Sequence, residues 1–528
     1  MFYVVGSGPS GISVAHALAS AGQPVTILDS GLTLERERQD AVAAFEGREP
    51  DEWNADELAY LTGPLLPAGD VPLKLAYGSD YPYRSPAAAR AIRGEGVTYQ
   101  PSYAAGGFSN VWGSSILPYL QRDLIDWPIT ADELAEGYAR VLEFMPIAAE
   151  HDELEVSFPL FSERPASLPT SRQAAMLLQN LRANRPQLAD AGLEFGRARV
   201  AVDAAGTRTG SGGCMACGLC LHGCPRGLIY SSQHTLAALR KRPEVRYIAG
   251  VTVHHVEERD DRVLLRAENA DGPLTFEGER AFLGAGPVNT TAILMRSLGM
   301  YDAEVLLQDS QYFLFPAFSR RGVSGVTQEP LHTLCQAFLE ISDEAVSPNT
   351  VHCQVYTYNA ILRALLLKKL GPLARVAPTD MILGRMFLFQ SYLHSRHSGR
   401  IALRLNRAGG SDEVHMTPRL SSETVPAVRR VLRKLAGLSR ATGVLPVAAL
   451  AEITEPGRGF HTGGSFPMAR APRPGQTDRL GRPFGLNRTH AVDATVFSSI
   501  AATTITFTVM ANAYRIGQEV ARGGELRA

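Results

Sequence analysis

The sequence predicts an α/β protein: a Rossmann-like domain on a parallel sheet, joined to a second α+β domain built on a mostly antiparallel sheet. Three observations carry this. The chain opens with an apolar run, Phe2–Val5, then Gly6, Gly8 and Gly11 at G-x-G-x-x-G spacing, an Ala-rich helical stretch over 12–21 and a second apolar run, Val25–Leu28, ending in Asp29. Residues 281–287 repeat a strand that ends in glycines before a helix, as a return to the same sheet requires. Residues 301–440 alternate strand-like runs, over 311–318, 351–358 and 400–405, with helical stretches.

The opening unit reads as βαβ. Gly6 permits a tight turn, Gly8 lets backbone approach a pyrophosphate, and Gly11 lets helix and strand pack closely. Pro9 and Ser10 open the helix, whose N-terminus faces the anion. Asp29 stands eighteen residues after Gly11, where a carboxylate accepts hydrogen bonds from an adenosine ribose. A glycine triplet alone equally marks a turn before an ordinary helix. Strand, helix, strand and acid in register favour a dinucleotide.

Composition bounds the rest. The chain has 528 residues, 45% of them hydrophobic, enough for a large core and more than one domain. Its 52 basic and 53 acidic residues leave a net charge of −1, which argues against a nucleic-acid or membrane-surface binder driven by bulk charge. No apolar run reaches the roughly 18 residues of a membrane span. A strand beginning at residue 2 leaves no room for a signal peptide, and the expectation is a cytoplasmic protein. Residues 30–100 read as surface helices and loops. Ala104 to Gly113 contains Gly106, Gly107, Ser109, Asn110 and Trp112. Paired glycines allow close approach to a ligand and Trp112 supplies a flat wall, although the same stretch reads as a glycine turn packed by a tryptophan. Thr130 and Glu133 form a capping box for a helix running to about Phe144.

Four of the six cysteines crowd together as Cys214, Cys217, Cys220 and Cys224, followed by Pro225. The spacing C-x2-C-x2-C-x3-C-P is that of iron–sulfur ligation, and a disulfide framework would spread its cysteines. In two-cluster ferredoxins the fourth cysteine of such a run serves the other cluster. Here Cys224 must bend back, or Cys335 or Cys353 completes the site. A 4Fe–4S cluster is expected ahead of 3Fe–4S, with structural zinc or four reduced thiols as the alternatives. His222 reads as a neighbour of the run rather than a ligand. Residues 245–265 alternate like a β-meander. The leucine-rich stretch 358–373, with Arg363, Lys368 and Lys369, suits a helix lying over the sheet better than a membrane-surface helix. His394 and His397, in a turn before a strand, read as solvated.

Near the carboxyl end, Gly459-Phe-His461-Thr-Gly-Gly and the stretches 486–499 and 502–513 follow, the last opening a helix that ends near Gly523. Asp493 and Ala494 come after a short apolar strand, which puts a carboxylate and backbone amides where a flavin phosphate or ribityl chain could lie. With these motifs in hand, the sequence resembles the glucose-methanol-choline family of flavoprotein oxidoreductases. The resemblance rests on Gly6 to Asp29, on Gly106-Gly107 to Trp112-Gly113, on Asp126-Trp127-Pro128-Ile129, on Gly284-Ala285-Gly286 and on both carboxyl-terminal motifs, in the family's order. The cysteine run is similar to one found in some members.

That resemblance implies FAD and oxidation of a hydroxyl to a carbonyl. It implies a cofactor site of Gly6, Gly8, Pro9, Ser10, Gly11, Asp29, Gly106, Gly107, Ser109, Asn110, Trp112, Gly113, Val251, Gly284, Asp493, Ala494 and Thr504. His461 matches the family's catalytic base, a role that suits imidazole near neutral pH. The family's second active-site position, His or Asn, aligns with Thr504, which can hydrogen-bond but cannot act as a base; a shift of register would bring Thr503 or Thr506 there. The implied division is 1–140, 201–300 (with the cysteine loop 212–227) and 441–528 for the FAD-binding domain, and 141–200 and 301–440 for the substrate domain. Two functions compete. The first is a dehydrogenase of an alcohol, sugar or lipid-like substrate, passing electrons through a cluster to an acceptor protein or quinone. The second is a redox-neutral isomerase or epimerase, favoured by Thr504.

Overall fold

A computed structural model describes residues 1–64, 73–408 and 411–523. The opening strand Phe2–Val5 lies in a five-stranded, wholly parallel sheet. The order across it is Thr489–Ala491, Arg280–Leu283, Phe2–Val5, Val25–Leu28 and Val245–Ile248. Val4 stands opposite Ile27 on one side and Phe282 on the other, all three fully buried. The central strands Phe2–Val5 and Val25–Leu28 are largely apolar because both faces of the sheet are covered there, whereas the edge strand Val245–Ile248 carries the exposed Arg246. On one face, helix Pro9–Ser20 packs against the last long helix, Ile505–Ala521. Their approach is close enough that a Cβ on Gly517 would lie 3.0 Å from Ala17 Cβ.

The meander expected over 245–265 is larger and begins later. Val245–Ile248 belongs to the parallel sheet, and Thr252–Arg259, Arg262–Asn269 and Gly272–Gly278 form a separate antiparallel sheet. Its inward residues Val253, Val263 and Leu265 join the core beneath Val5, Leu28 and Leu283.

The second half of the molecule is antiparallel. Val444–Pro446, Tyr312–Ser319, Met386–Tyr392, Val351–Tyr356, Ala337–Ile341 and Leu193–Arg197 are neighbours in that order, and Glu452–Ile453 also pairs with Tyr312–Ser319. This sheet therefore takes strands beyond residue 440, where the sequence reading ended it. Period-two alternation divides its faces. Phe313, Phe315, Phe387, Phe389 and Val355 face a core closed by helices Arg172–Ala183 and Thr424–Gly437. Tyr312, Gln354, Tyr356, Gln390 and Tyr392 lie on the opposite face. A further sheet runs Thr462–Gly463, Glu304–Asp309, Arg400–Ala408, Ser411–Arg419 and Ile92–Gly94.

Helix Ala360–Leu370, capped by Asn359, lies over the large sheet through Leu362 and Leu366, in one cluster with Met386 and Leu388. Thr130 and Glu133 form the expected capping box on helix Ala131–Leu142. His394 and His397 are buried rather than solvated. Arg396 N donates to His394 Nδ1 (3.1 Å) and His397 Nε2 lies 3.0 Å from Ser347 Oγ. The turn preceding the strand is folded inward under the return of the chain at Ile500, so the histidines face protein. No helix among the described residues is long and apolar enough to cross a membrane.

Candidate active site

The glycines of the opening unit interlock. A Cβ on Gly11 would lie 2.0 Å from Gly6 O, one on Gly6 2.6 Å from Gly284 O, and one on Gly284 2.9 Å from Gly11 N. Gly8 differs, because a Cβ there meets nothing within 4 Å. It is the N-cap of a helix with Pro9 at its start and no side-chain cap, so the first amides of that helix are left for another acceptor. The Gly106-Gly107 turn lies across from it, with Gly107 placing a notional Cβ 3.4 Å from Gly8 Cα; Gly106 and Gly107 have φ of 81° and 56°. This is a backbone cradle that added side chains would fill.

Asp29 ends its strand fully inside. Its oxygens meet Ser7 Oγ, Tyr247 Oη (3.3 Å) and Gly31 N (3.3 Å), and burial pushes its carboxyl up to about 6. It lines a cavity with Val5, Gly6, Val251 and Asn289. Asp493 is also fully engaged. Oδ1 accepts from Thr495 N (2.9 Å) and Oδ2 from Thr290 Oγ1 (2.5 Å), which fixes the turn against the helix beginning at Pro287. Ala494 O accepts from Gly464 N (2.8 Å), tying this turn to the loop after His461.

Asn110 and Ser109 also bond within the protein, and Ser109 lines the cavity described below. Asn110 Nδ2 donates to Ala105 O and Gly107 O, while its Oδ1 accepts from Ser231 Oγ and Gln233 Nε2. Ser109 Oγ accepts from Ser232 N (2.9 Å). Both hold the glycine turn, with no group left over for a ligand on Asn110. Trp127 of the Asp-Trp-Pro-Ile motif likewise packs in the core, on Phe497 at 4.5 Å between ring centroids.

A second cavity, of about 250 Å³, lies beyond the glycine turn. Pro9, Trp112, Gly113, His461 and Thr504 line it, so the structure brings residues 9 and 504 to one space. His461 is half-buried and its ring stacks on Tyr392, with centroids 4.8 Å apart and planes at 18°. Nδ1 is enclosed without a hydrogen-bond partner, leaving Nε2 as the nitrogen able to meet a ligand. Burial lowers the imidazole to about 4, so it is neutral at pH 7. The residue before it, Phe460, has φ 55°, and its ring packs on Phe108 at 4.6 Å. A left-handed non-glycine residue held by packing is how a loop aims its neighbour. Thr504 Oγ1 accepts from Leu117 N (2.8 Å), which leaves its own proton to donate. Of the alternative threonines, Thr506 lines the cavity and Thr503 is buried.

The sequence reading missed the roof. Tyr312, Gln354, Tyr356, Gln390 and Tyr392 line the cavity from the antiparallel sheet, and Arg458 lies at its edge. The available signal was Gln-x-Tyr at 354–356 and again at 390–392, polar residues two apart in otherwise apolar strands.

The four cysteines sit half-buried in one loop, shaped by left-handed Ala216 (φ 52°) and Gly218 (φ 78°). Cys214, Cys220 and Cys224 pack under Val200 and Leu228, while Cys217 turns toward Phe45 and Trp53. Burial pushes Cys217 up to about 12 and Cys224 up to about 11, each raised further by neighbouring thiols of the run. Among the described residues no group of three or more His, Cys, Asp or Glu side chains is arranged to hold a metal ion. Cys353 is buried within the antiparallel sheet and Cys335 just before one of its strands, donating to Ala337 O, and neither packs with the run. His222 Nδ1 lies 3.1 Å from Thr62 O, beside the loop.

No family model and no curated protein matches this chain. Solved structures do match. Pyridoxine 4-oxidase from Mesorbium loti is similar over 98% of both chains at 15% identity, TM-score 0.60. A formate oxidase is similar over 99% of this chain and 98% of its own at 13% identity, TM-score 0.61. A mutant of Aspergillus oryzae RIB40 formate oxidase, studied for FAD modification, gives 12% identity and TM-score 0.60 over the same shares. At these identities the likeness is one of architecture, and along its whole length this chain has the fold of the glucose-methanol-choline oxidoreductases.

Proposed function

We propose that this protein is an FAD-dependent oxidoreductase that oxidises a substrate hydroxyl to a carbonyl, with His461 as the base. The observation that carries the reading is the neutral imidazole of His461 opening into a cavity that begins at the N-terminus of the glycine-cradled helix. The cradle fits a dinucleotide, since Gly8 faces open space, the helix start is uncapped, and Asp29 lies at the far end beside Val251. Bound FAD supplies an acceptor for the hydride leaving the carbon. His461 Nε2 takes the hydroxyl proton, and the Thr504 hydroxyl donates to the substrate oxygen and orients it. Phe108, Trp112 and Gly113 wall the cavity beyond the glycine turn.

Cys214, Cys217, Cys220 and Cys224 are the residues that would hold an iron–sulfur cluster, which would supply one-electron exchange with an acceptor protein or quinone. That part of the reading is supported by the C-x2-C-x2-C-x3-C-P spacing alone, because among the described residues no side chains are arranged to hold a metal ion. A redox-neutral isomerase or epimerase is the second reading, resting on Thr504 in place of a second base. The deciding experiment is flavin, iron and sulfide analysis of the purified protein, followed by anaerobic mixing with alcohols and sugars. Bound FAD bleached by a hydroxyl substrate is expected. A preparation that takes up no FAD would overturn the reading, and product formed with no acceptor would favour the redox-neutral alternative.

A further inference from the structure

The roof of the cavity carries a chain of hydrogen bonds that runs in one direction. Glu340, His352, Tyr392 and Tyr312 stand opposite one another across four neighbouring strands, and Gln354 stands opposite Gln390 two residues along. Glu340 and His352 are fully enclosed, with His352 Nδ1 2.5 Å from Glu340 Oε1. With Nδ1 turned to the carboxyl of Glu340, Nε2 is the ring nitrogen that faces Gln354. Gln354 Nε2 donates to it at 3.2 Å. That fixes the amide, whose Oε1 points the other way and accepts from Tyr356 Oη at 3.0 Å. Because the one proton of Tyr356 is used inward, its oxygen meets the cavity as an acceptor. The opposite wall is the glycine-rich loop, where a Cβ on Gly113 would lie 3.7 Å from Tyr356 Oη.

We propose that Tyr356 determines specificity by accepting a hydrogen bond from a second hydroxyl of the substrate. The substrate is then a diol or polyol of the sugar kind, not a monohydric alcohol. Glu340 and His352 are positioning residues that act through Gln354. The rest of the cavity agrees. Gln390 Nε2 donates to Tyr392 Oη (2.7 Å), leaving its own oxygen as a further acceptor. Among the described residues no Asp or Glu lines the cavity, and the oxygens its sheet wall offers to substrate hydroxyls are neutral ones. Tyr312, Tyr392 and Trp112 supply flat faces for the apolar side of a ring.

This inference rests on the hydroxyl-oxidising reading. Its test is anaerobic flavin reduction of the FAD-loaded protein by vicinal diols and hexoses, each paired with its monomethyl ether. A site that accepts from a hydroxyl rejects the partner lacking that proton, because the acceptor is left unpaired. Wild type is expected to prefer the free hydroxyl by at least ~10-fold in kcat/KM. Tyr356→Phe should bring that ratio to about one, chiefly through KM, and His352→Phe should lower it in the same direction. General damage to the fold would slow both members of a pair and leave the ratio standing. A wild-type ratio near one, or a ratio that survives Tyr356→Phe, overturns the inference. Wild-type flavin bleached by none of the compounds is a different result, since it removes the oxidation reading on which the inference stands.

Discussion

In the proposed reaction His461 acts in its neutral form, which burial favours. Burial disfavours the imidazolium, and the ring stacked on Tyr392 is held in one orientation with Nδ1 enclosed. His461→Ala is expected to lower the rate of flavin reduction at least ~100-fold while FAD stays bound, the usual scale for losing a general base. Rapid mixing with substrate checks this, and unchanged kinetics would remove His461 from the reaction. The pH dependence follows from the direction of the shift. Because the neutral form is needed and the ring titrates at about 4, kcat/KM should stay level from pH 8 to 6 and fall as pH drops toward 4. A fall centred near 6.5 would show the ring to be solvated. Thr504 should matter less. Thr504→Val removes one donor and leaves Leu117 N without its acceptor, and a roughly ten-fold loss of kcat is expected.

Among the elements, the glycine turn and its helix make two demands that a pair of substitutions separates. Gly11 is a glycine for the protein's own sake, since a Cβ would lie 2.0 Å from Gly6 O. Gly8 has no neighbour to offend. Gly11→Ala is therefore expected to lower stability by about 1–3 kcal/mol, as overpacking does, seen as an earlier thermal transition even without FAD. Gly8→Ala should leave the FAD-free transition in place and weaken FAD binding at least ~10-fold, about 1.4 kcal/mol, measured by flavin fluorescence titration. Equal FAD affinity in Gly8→Ala and wild type would mean that the pyrophosphate lies elsewhere. The helix from Ile505 to Ala521 is the other organising element, because its start holds Thr504 and its body packs on the helix of the glycine turn. One pair of packed helices thus joins the glycine cradle to the cavity wall at Thr504.

Across the whole molecule, buried ionisable groups make stability depend on pH. Asp309 is enclosed at the junction of the two halves, with Oδ2 accepting from Gly457 N (2.9 Å) and Oδ1 unpaired, and burial pushes it up to about 7. A carboxyl raised in the folded state costs nothing below its unfolded value near 3.8. The cost grows between there and about 7, and is fully present above. Asp309→Asn should therefore stabilise the fold more at pH 8 than at pH 4, by on the order of 4 kcal/mol at most. Thermal melts of the two proteins at both pH values check this, and an equal gain at each would show that Asp309 is solvated.

Much of this architecture is legible in the chain before it folds. Largely apolar runs such as Phe2–Val5 and Val25–Leu28 announce a sheet covered on both faces, and the spacing of Gly6, Gly8 and Gly11 fixes the turn beside it. Such signals are local, so a sequence displays them in full. Asn110 could not be assigned this way. Its amide braces a turn only because Ser231 and Gln233 arrive from more than a hundred residues away. The same holds for the buried turn of His394 and His397, and for Tyr356, whose role depends on strand register across 340, 352 and 390. By itself the sequence determined the parallel sheet, the glycine cradle, the cysteine loop and the position of His461, because each is written in residues close along the chain. Only the tertiary structure decided which cavity these share, what roofs it, and which nitrogen of His461 is open, because those depend on burial and on contacts between distant strands.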